Sequence, residues 1–438
     1  MYEFLDNHNI LFKNLFGFRK NNSTIYALME ITEKIKESID NKKYGCGIFI
    51  DLKKAFDTVN HKILLNKLAH YGIRGVLLKW FETYLTGRRQ YVFYNGESSD
   101  LRNISCGVPQ GSVLGPLLFL IYINDLPNVS EKLNFFLFAD DTNIYYECDN
   151  LHIMEEIINT ELKQLNLWLN INRLALNISK TNFVIFRTFN KPISHNITLK
   201  INNKAIVQKD YIKYLGIIID CHLNWKQHIL NTSKKISRSI GIMYKLREFM
   251  NTKMLKDIYY SLIYSNIVYA IQVWGSAGIT ELKKILILQK KAVRMMTNND
   301  QYPLTPGPLI PSNPIFKELG ILKISDIFKL QISKFIYLCQ SLDNIPSNFH
   351  DWFIVNHRVH HYNTISNTNI VMKNYFEIDN ITTTNNLHTQ GWNLINYGGK
   401  LLKVIGPKLW NGLPIDIRGA KTVNSFKYLL KTFLLNQY

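Results

Sequence analysis

The sequence predicts an α+β fold in which helices cover one face of a sheet. Residues 47–50 form a short apolar run bounded by glycine, which is the pattern of a buried strand. Residues 133–139 and 142–146 are two β-rich runs that only Asp140 and Asp141 separate, and this spacing predicts a tight hairpin. Because helical patterns lie between these strands, an open sheet with helices packed on it is the simplest architecture.

The chain turns helical after the first strand. Apolar residues recur there at helical spacing, at Phe56, Val59, Ile63, Leu64 and Leu68. Gly72 supplies a stop for this helix, and residues 76–85 predict a second one. Residues 90–94 and 101–105 then flank Asn95-Gly96, a dipeptide suited to the left-handed positions of a turn. This segment is therefore expected to form a β-hairpin.

Two further helices are expected around the second hairpin. The longest apolar stretch, residues 113–123, is about half of the ~20 residues that a membrane-spanning helix needs. It contains Gly115 and Pro116 and predicts a buried core helix. A long amphipathic helix follows the second hairpin, and its apolar residues are assigned to one side: Ile153, Ile157, Leu162, Leu165 and Leu169.

The second half of the chain has a different character. Residues 225–300 are helical in pattern and carry 13 Lys and Arg against 4 Asp and Glu, as expected of a separate basic domain. Five prolines in residues 303–314 end this region, and residues 363–386 are rich in Asn and Thr, which indicates a loop or linker. Residues 406–414 form a distinctive run, Gly-Pro-Lys-Leu-Trp-Asn-Gly-Leu-Pro, to which the sequence assigns no mechanism.

Length and charge narrow the classes of function. The 438 residues, 46% of them apolar, are enough for several domains with buried cores. The formal charge of +19, from 52 Lys and Arg against 33 Asp and Glu, favours a polyanionic partner such as nucleic acid. A membrane-surface protein would also be cationic, but here the charge is spread along the chain instead of forming one cluster. No membrane partner is therefore expected.

Cysteine and histidine usage gives no sign of a structural metal or a disulfide framework. The five cysteines are widely spaced, and no C-x-x-C pair occurs. His357, His360 and His361 lie close together, but without a second ligand cluster a solvated loop is favoured over a metal site. The N-terminus carries acids where a signal peptide would be basic and then apolar. We expect a reducing, intracellular compartment, either nucleus or cytoplasm, and identify no targeting signal.

The adjacent acids Asp140 and Asp141 are the strongest sign of chemistry. Two like charges side by side raise each other's pKa, so a positive group is expected to offset them. Asp51 ends an apolar strand, and the three carboxylates could meet at one sheet edge and hold Mg²⁺. Two such ions can drive an in-line phosphoryl transfer. An Asp-Asp pair taken alone would more simply be a solvated turn.

Five segments together resemble the polymerase motifs of reverse transcriptases from non-LTR, LINE-like retrotransposons of the jockey or CR1 type. In the family's order, they are residues 49–61 (motif A), 107–116 (motif B), 138–141 (motif C), 177–181 (motif D) and 214–216 (the primer grip). Residues 16–19, Phe-Gly-Phe-Arg, resemble the segment that precedes motif A. The order and density of these matches make coincidence implausible.

The resemblance implies a right-hand polymerase palm with partial fingers, a helical thumb and a C-terminal extension. On this basis residues 1–45 are expected to be partial fingers, 46–222 the palm with inserted fingers elements, 223–300 the basic thumb and 301–438 the C-terminal region. The implied activity is RNA-directed DNA polymerisation during retrotransposition. The implied partners are an RNA template, a DNA primer or target, and dNTPs.

The resemblance also implies a set of metal ligands. Asp51 and Asp140 are expected to bind two Mg²⁺ ions, with Mn²⁺ as an alternative, and Asp141 to assist. The backbone carbonyl of Leu52 is expected to supply one more oxygen. Lys180 is expected to protonate the departing pyrophosphate or to offset its charge, and its alternative is one more solvated lysine.

Further residues match positions that hold the nucleotide. Phe56 corresponds to the side chain that crowds the sugar 2′ carbon, although it also fits the apolar stripe of a helix. Gln110 and Gly111 belong to a loop that is expected to contact the incoming nucleotide and the template. Without the motif, this loop would simply be a turn. Arg19 is the one nearby base that matches the triphosphate grip.

Nucleic-acid contacts are expected from two other places. Tyr214, Leu215 and Gly216 match the primer grip, and the basic residues that follow them are expected to track duplex phosphates, among them Lys234, Lys235 and Arg238. The sequence gives no oligomeric state, template RNA or target site.

Departures from the family pattern keep other functions open. Only 15 residues precede Phe16, where the family has a basic fingers segment, and Leu15 stands where a glutamine is common. We therefore expect an N-terminally truncated enzyme without the upstream endonuclease. The main alternative is a catalytically impaired or repurposed nucleic-acid-binding remnant. A splicing maturase on the same fold is a third reading, which association with an excised intron would favour.

Overall fold

A computed structural model describes residues 1–297, 311–341, 345–354, 386–389, 391 and 393–438. The three clustered histidines and residues 363–385 of the expected linker lie outside the described residues. The chain divides into two compact units, residues 1–27 with 42–210 and residues 28–41 with 211–438. Among the described helices, none has the length and apolar character needed to cross a membrane.

The first unit contains the sheet. Its helices are α1 (Tyr2–Asn7), the start of α2 (Thr24–Asp40), α3 (His61–His70), α4 (Gly75–Leu85), α5 (Leu114–Ile123) and α6 (Leu151–Ile171). Its strands are β1 (Tyr44–Ile50), β2 (Arg89–Gln90), β3 (Phe93–Tyr94), β4 (Glu97–Ser98), β5 (Arg102–Asn103), β6 (Asn134–Phe138), β7 (Asp141–Cys148), β8 (Asn182–Phe186), β9 (Lys200–Ile201), β10 (Lys204–Ala205) and β11 (Val207–Gln208). The predicted α+β class is confirmed.

The main sheet has five strands in the order β11-β8-β1-β7-β6. Strand β1 lies at its centre, antiparallel to both β7 and β8, and each of its residues is buried. Glycine is needed here because a Cβ at Gly45 would overlap the ring of Tyr145, and one at Gly47 would lie 2.8 Å from the ring of Phe186. The sequence therefore lets two neighbouring aromatic rings lie directly on the central strand.

The core lies between this sheet and the helices α5 and α6. The predicted core helix is confirmed in α5, whose residues 118–123 are all fully buried. The amphipathic helix is confirmed in α6, but the assigned side is wrong for Ile153, which is 48% exposed, and for half-buried Ile157. At about 100° per residue, Ile153 and Leu162 lie on opposite sides of a helix. The buried stripe is Leu151, Met154, Ile158, Leu162, Leu165 and Leu169.

One local prediction near motif A also needs correction. The first helix starts at His61 and not near Phe56, because Lys54 takes a left-handed φ of 48° and Asn60 caps the helix by accepting from the Ile63 amide. Gly72 ends the segment with a φ of 93°, as predicted. The hairpin around Asn95-Gly96 is confirmed, with its returning strand starting at Glu97.

The second unit is largely helical. It holds most of α2 and the strands β12 (Tyr211–Tyr214) and β13 (Ile217–Asp220). Its helices are α7 (Lys226–Leu246), α8 (Thr252–Ile258), a π-helical turn (Tyr259–Tyr264), α9 (Ser265–Val268), α10 (Ile271–Trp274), α11 (Ile279–Arg294), α12 (Ser312–Glu318), α13 (Ile324–Ser341), α14 (Leu402–Asn411), α15 (Ile415–Arg418) and α16 (Val423–Leu435). The predicted helical character of the basic region is confirmed in the residues described up to 297.

The distinctive run at residues 406–414 has a packing role. Trp410 is fully buried, and a Cβ at Gly406 would lie 2.7 Å from the ring of Phe353. The side-chain amide of Asn411 accepts from the Leu387 amide at 2.8 Å and donates to the Leu387 carbonyl at 3.0 Å. This run therefore fixes α14 against its neighbours in the second unit.

Buried charge on α2 also contributes to the second unit. Glu33 pairs with Lys36 at 3.0 Å and accepts from the Leu402 amide at 2.7 Å. Asp40 accepts from the Leu394 amide at 2.6 Å. Burial raises the pKa of Glu33 in spite of the lysine beside it. These bonds satisfy carboxylates that would otherwise be costly to bury.

Candidate active site and nucleic-acid contacts

The acidic hairpin has a two-residue turn, Ala139-Asp140, between the paired residues Phe138 and Asp141. Ala139 is buried and takes a φ of 56°, a left-handed value that a residue with a Cβ rarely adopts. The turn exposes Asp140, and Asp141 begins β7. Backbone strain at Ala139 is thus stored beside the two acids.

Strand pairing brings the third acid to the same edge. Ile50 on β1 pairs with Thr142 on β7, so Asp51 and Asp141 are the next positions along two neighbouring antiparallel strands. The pKa of Asp141 is raised to about 6, first by loss of solvation and then by the negative charges of Asp140 and Asp51. The acids that the sequence selected are therefore close enough to repel one another.

This donor set suits a hard divalent cation. Carboxylate oxygens are the ligands that Mg²⁺ prefers, and a cation would relieve the repulsion that adds to the loss of solvation in raising the pKa of Asp141. Within the part of the chain that the structure describes, no three His, Cys, Asp or Glu side chains are arranged closely enough to enclose an ion. The match between these three acids and a divalent cation therefore rests on the chemistry of the carboxylate oxygens and on their charge.

Motif D fixes the backbone of motif A. The Asn177 amide donates to the Asp51 carbonyl and the Lys53 amide to the Ala175 carbonyl, both at 2.8 Å. These bonds flank Leu52 and do not use its carbonyl, which was expected to bind metal. Lys180 is exposed in the turn that Asn177 begins. The structure thus joins the predicted motifs A and D through their backbones.

The segment before motif A lies along the acidic hairpin. The Phe16 amide donates to the Leu137 carbonyl at 2.8 Å, and the Leu137 amide donates to the Asn14 carbonyl at 2.9 Å. A Cβ on Gly17 would lie 2.3 Å from the Ala139 nitrogen. The sequence did not predict this close approach of Gly17 to the acidic turn, although the place of Gly17 in the Phe-Gly-Phe-Arg match was a signal for it.

Motif B is joined to the turn that follows Asp51. The Val108 amide donates to the Phe56 carbonyl at 2.9 Å, and the Gly107 amide donates to the Val59 carbonyl at 2.7 Å. Gly107 has a φ of 89°, and a Cβ there would lie 2.8 Å from the Asp57 carbonyl oxygen. Only glycine allows this close approach without strain.

Gln110 lies exposed beside the turn of motif A. Its Nε2 donates to Oδ1 of Asp57 at 2.7 Å, which aligns the amide of one motif with the carboxylate of the other. Gly111 follows with a φ of 79° in open surroundings, so the conformation of the turn, and not crowding, requires glycine there. The loop therefore presents Gln110 to solvent on a fixed backbone.

The Phe56 ring packs against other aromatic rings and is partly exposed. Its ring stacks on Phe119 with centroids 4.4 Å apart and meets the edge of Phe18 at 6.1 Å. It is nevertheless half-buried, while Phe119 is fully buried. One side of the ring is thus packed, and part of it remains accessible to a ligand.

Arg19 makes contacts within the N-terminal segment. Its guanidinium donates to the Phe12 carbonyl at 3.1 Å and pairs with Asp6 at 3.2 Å. These bonds hold it to the segment that lies beside the acidic hairpin.

The predicted nucleic-acid contacts lie in the second unit. Leu215 and Gly216 form the two-residue turn between β12 and β13, with φ values of 41° and 83°. Tyr269 donates to the Leu215 carbonyl at 2.6 Å, whereas Tyr214 is buried. On α7 the three predicted basic residues are all exposed: Lys234, Lys235 and Arg238.

Comparison with known proteins identifies a family and several relatives. The profile of the family "Reverse transcriptase (RNA-dependent DNA polymerase)" matches residues 1–219. The probable RNA-directed DNA polymerase from transposon X-element of Drosophila melanogaster is 30% identical over 292 residues, which cover 64% of this chain and 31% of that protein. The RNA-directed DNA polymerase from mobile element jockey of the same species is 29% identical over 328 residues, covering 72% and 34%.

The chain spans about a third of the length of these relatives. Among solved structures, a telomerase from Candida albicans in complex with a telomeric RNA fragment matches 67% of this chain and 54% of its own. The sequence identity is 11% and the TM-score is 0.37.

Proposed function

The chain belongs to the reverse transcriptase (RNA-dependent DNA polymerase) family, and from this premise we propose that it extends a primer 3′-hydroxyl with dNTPs on an RNA template during retrotransposition. The observation that carries the proposal is that Asp51 and Asp141 are neighbouring positions at the ends of the paired strands β1 and β7, with Asp140 in the turn beside them. Loss of solvation, and then the charges of Asp140 and Asp51, raise the pKa of Asp141 to about 6. This donor set matches the chemistry of the family, since polymerisation is a metal-assisted phosphoryl transfer.

In the proposed mechanism, Asp51, Asp140 and Asp141 hold two Mg²⁺ ions, with one oxygen from the Leu52 carbonyl. Such ions, when bound, activate the primer hydroxyl and stabilise charge on the pyrophosphate. The protein's contribution is positioning, because the strand register and the bonds from motif D fix the acids before substrate binds. Mn²⁺, with the same ligand preference, is expected to substitute.

The nucleotide is proposed to bind between motifs A and B. Gln110 would contact the base pair being formed, and Gly111 would allow the backbone to approach it. The accessible part of Phe56 would face the sugar and exclude a 2′-hydroxyl, while its packing on Phe119 keeps the ring in place. Arg19 would reach the triphosphate only by leaving Asp6.

Other residues have supporting roles in the proposal. Lys180 would protonate the pyrophosphate or neutralise its charge. The primer grip at Tyr214, Leu215 and Gly216 would hold the primer strand through the backbone of its turn. The exposed basic residues of α7 would bind duplex phosphates.

Primer extension tests the proposal. The purified chain should extend a labelled DNA primer on an RNA template only with dNTPs and a divalent cation. Asp140→Asn should abolish extension, whereas Asp149→Asn, which changes an exposed acid just beyond the opposite end of β7, should retain it. A folded wild-type chain that cannot extend the primer would contradict the proposed activity, as would a fully active Asp140→Asn variant.

A further inference from the structure

The hairpin at residues 88–103 exposes an unusual set of aromatic side chains. Tyr91 is 59% exposed, Phe93 66% and Tyr94 77%, and none of the four short strands has a buried residue. An aromatic ring loses favourable burial when it lies in water, so a group of three in one hairpin marks a binding surface.

A stack of three side chains, which we call the ladder, runs from α4 to the base of this hairpin and consists of Trp80, Tyr84 and Arg88. The rings of Trp80 and Tyr84 stack at 5.5 Å with 10° between their planes. The guanidinium carbon of Arg88 lies 5.5 Å from the Tyr84 ring centroid. Trp80 is 49% exposed, so the ladder forms a surface on which further flat groups can stack.

A basic cleft lies at the same base. It has a volume of about 880 Å³ and extends to Gln110. Its charged lining consists of Lys54, Arg88 and Arg89 against the single acid Asp57. The cleft therefore carries net positive charge beside an aromatic surface, a combination that fits a flexible polyanion with flat bases.

We propose that this surface, residues 80–103 with the cleft, binds an unpaired segment of RNA. Arg88 and Arg89 pair with phosphates, and Trp80, Tyr91 and the neighbouring aromatic rings stack on bases without reading sequence. A protein partner fits less well, because an apolar surface covering the hairpin would desolvate the two guanidinium groups without pairing them. The identification of this RNA as single-stranded template rests on the proposed function, whereas the binding itself does not.

Photocrosslinking tests the site directly. A single-stranded RNA of uridines and 4-thiouridines is irradiated with the full chain, which is then digested with trypsin. Cleavage after Arg89 and Arg102 releases residues 90–102 as one peptide that contains Tyr91, Phe93 and Tyr94. This peptide should carry the nucleotide adduct. Crosslinks confined to other peptides would overturn the proposal.

Affinity measurements supply the second arm. Changing Tyr91, Phe93 and Tyr94 together to Ala should weaken binding of labelled oligo-uridine by about tenfold or more, measured by fluorescence anisotropy. The matched control is Phe189→Ala, at an exposed aromatic of the same unit, and it should bind like the wild type. The double variant with Arg88→Ala and Arg89→Ala should lower the slope of log affinity against log salt concentration by about 1.4, which is about 0.7 for each lost contact with a single-strand phosphate.

The outcomes separate this proposal from its competitors. Unchanged RNA affinity in the triple variant, with a normal melting curve, would overturn it. Loss of self-association in sedimentation velocity, with RNA affinity intact, would make the hairpin an interface between copies of the chain and would also overturn it. A wild type that binds and crosslinks as expected but does not extend a primer would contradict only the proposed activity.

Discussion

Ala139-Asp140 and Asn95-Gly96 are both two-residue turns between antiparallel strands, but their surroundings differ. The first is fixed by the neighbouring strand β1 and by the segment at residues 14–17. The second has left-handed φ values at Asn95 and Gly96 and exposed strands throughout. The acidic turn, which combines backbone strain with like charges, is closely packed. The hairpin that carries the aromatic rings is exposed.

The difference indicates how each turn is suited to its proposed role. The proposed metal ligands have to be positioned before the ion binds. The surrounding structure holds Ala139 at an unfavourable φ and keeps the acids close in spite of their repulsion. A surface that stacks on bases needs accessible rings more than fixed ones.

A methyl group at Gly17 should have the largest effect. Its carbon would lie 2.3 Å from the Ala139 nitrogen, so Gly17→Ala should displace the acidic turn. A displacement of about 1 Å can cost about a hundredfold in rate, and overpacking costs about 1–3 kcal/mol in unfolding free energy. Primer extension and thermal melting measure the two effects.

Gly241→Ala is the control, because a Cβ there has open space on α7. It should leave extension near the wild-type value and should raise the free energy of unfolding by about 0.5–1 kcal/mol, because Ala favours a helix more than Gly does. Wild-type extension by Gly17→Ala would show that the turn tolerates movement and that its packing has no catalytic consequence.

Phe56→Val should change sugar selection. Removing the ring opens space for a 2′-hydroxyl, so relative incorporation of ribonucleotides should rise about tenfold, which corresponds to about 1.4 kcal/mol. If Phe56 only packs on Phe119, the same change lowers stability and leaves the dNTP-to-rNTP ratio alone. Single-nucleotide incorporation kinetics on one RNA template, with a melting curve for each protein, distinguish these outcomes.

The exposed basic face of α7 offers a test on duplex binding. Changing Lys234, Lys235 and Arg238 together to Ala should lower the slope of log affinity against log salt by up to about 3, close to one unit per lost phosphate contact. The measurement uses a primer-template duplex over a range of salt concentrations. An unchanged slope would mean that these side chains only interact with solvent.

Asp141→Asn should have the smallest effect, a gain in thermal stability that depends on pH. The pKa of Asp141 is raised to about 6 in the folded chain, whereas in the unfolded chain it is about 4. The folded state therefore loses stability as the pH rises from about 4 to about 6. In the absence of divalent cations, the variant should melt above the wild type at pH ~8, and the difference should vanish below pH ~4. Melting curves that differ equally at both pH values would contradict this linkage.

The sequence was sufficient for features that depend on local pattern. The central strand, the hairpin at Asp140 and the buried helix α5 follow from apolar runs and turn residues that lie within a few positions of each other. The three acids were selected from their places at a hairpin tip and a strand end, together with the resemblance of the neighbouring segments to polymerase motifs. Their closeness required only that β1 and β7 pair with ends aligned, as they do.

Features that depend on contacts between distant segments were not predicted. Residues 14–17 lie against residues 137–139, and the local sequence pattern of neither segment predicts this contact. The buried side of α6 was misassigned because apolar residues occur on both sides of that helix, and tertiary packing chose between them. The packing role of Trp410 and Asn411 likewise depends on residues at 353 and 387.

The central claim is that Asp51, Asp140 and Asp141 form one divalent-cation site, and equilibrium binding of Mn²⁺ followed by electron paramagnetic resonance tests it most directly. The wild type should bind Mn²⁺ saturably, Asp51→Asn and Asp140→Asn should each weaken that binding by about tenfold or more, and Asp149→Asn should leave it unchanged. Mg²⁺ should displace the bound Mn²⁺. Wild-type Mn²⁺ affinity in a folded Asp51→Asn or Asp140→Asn variant would contradict the site.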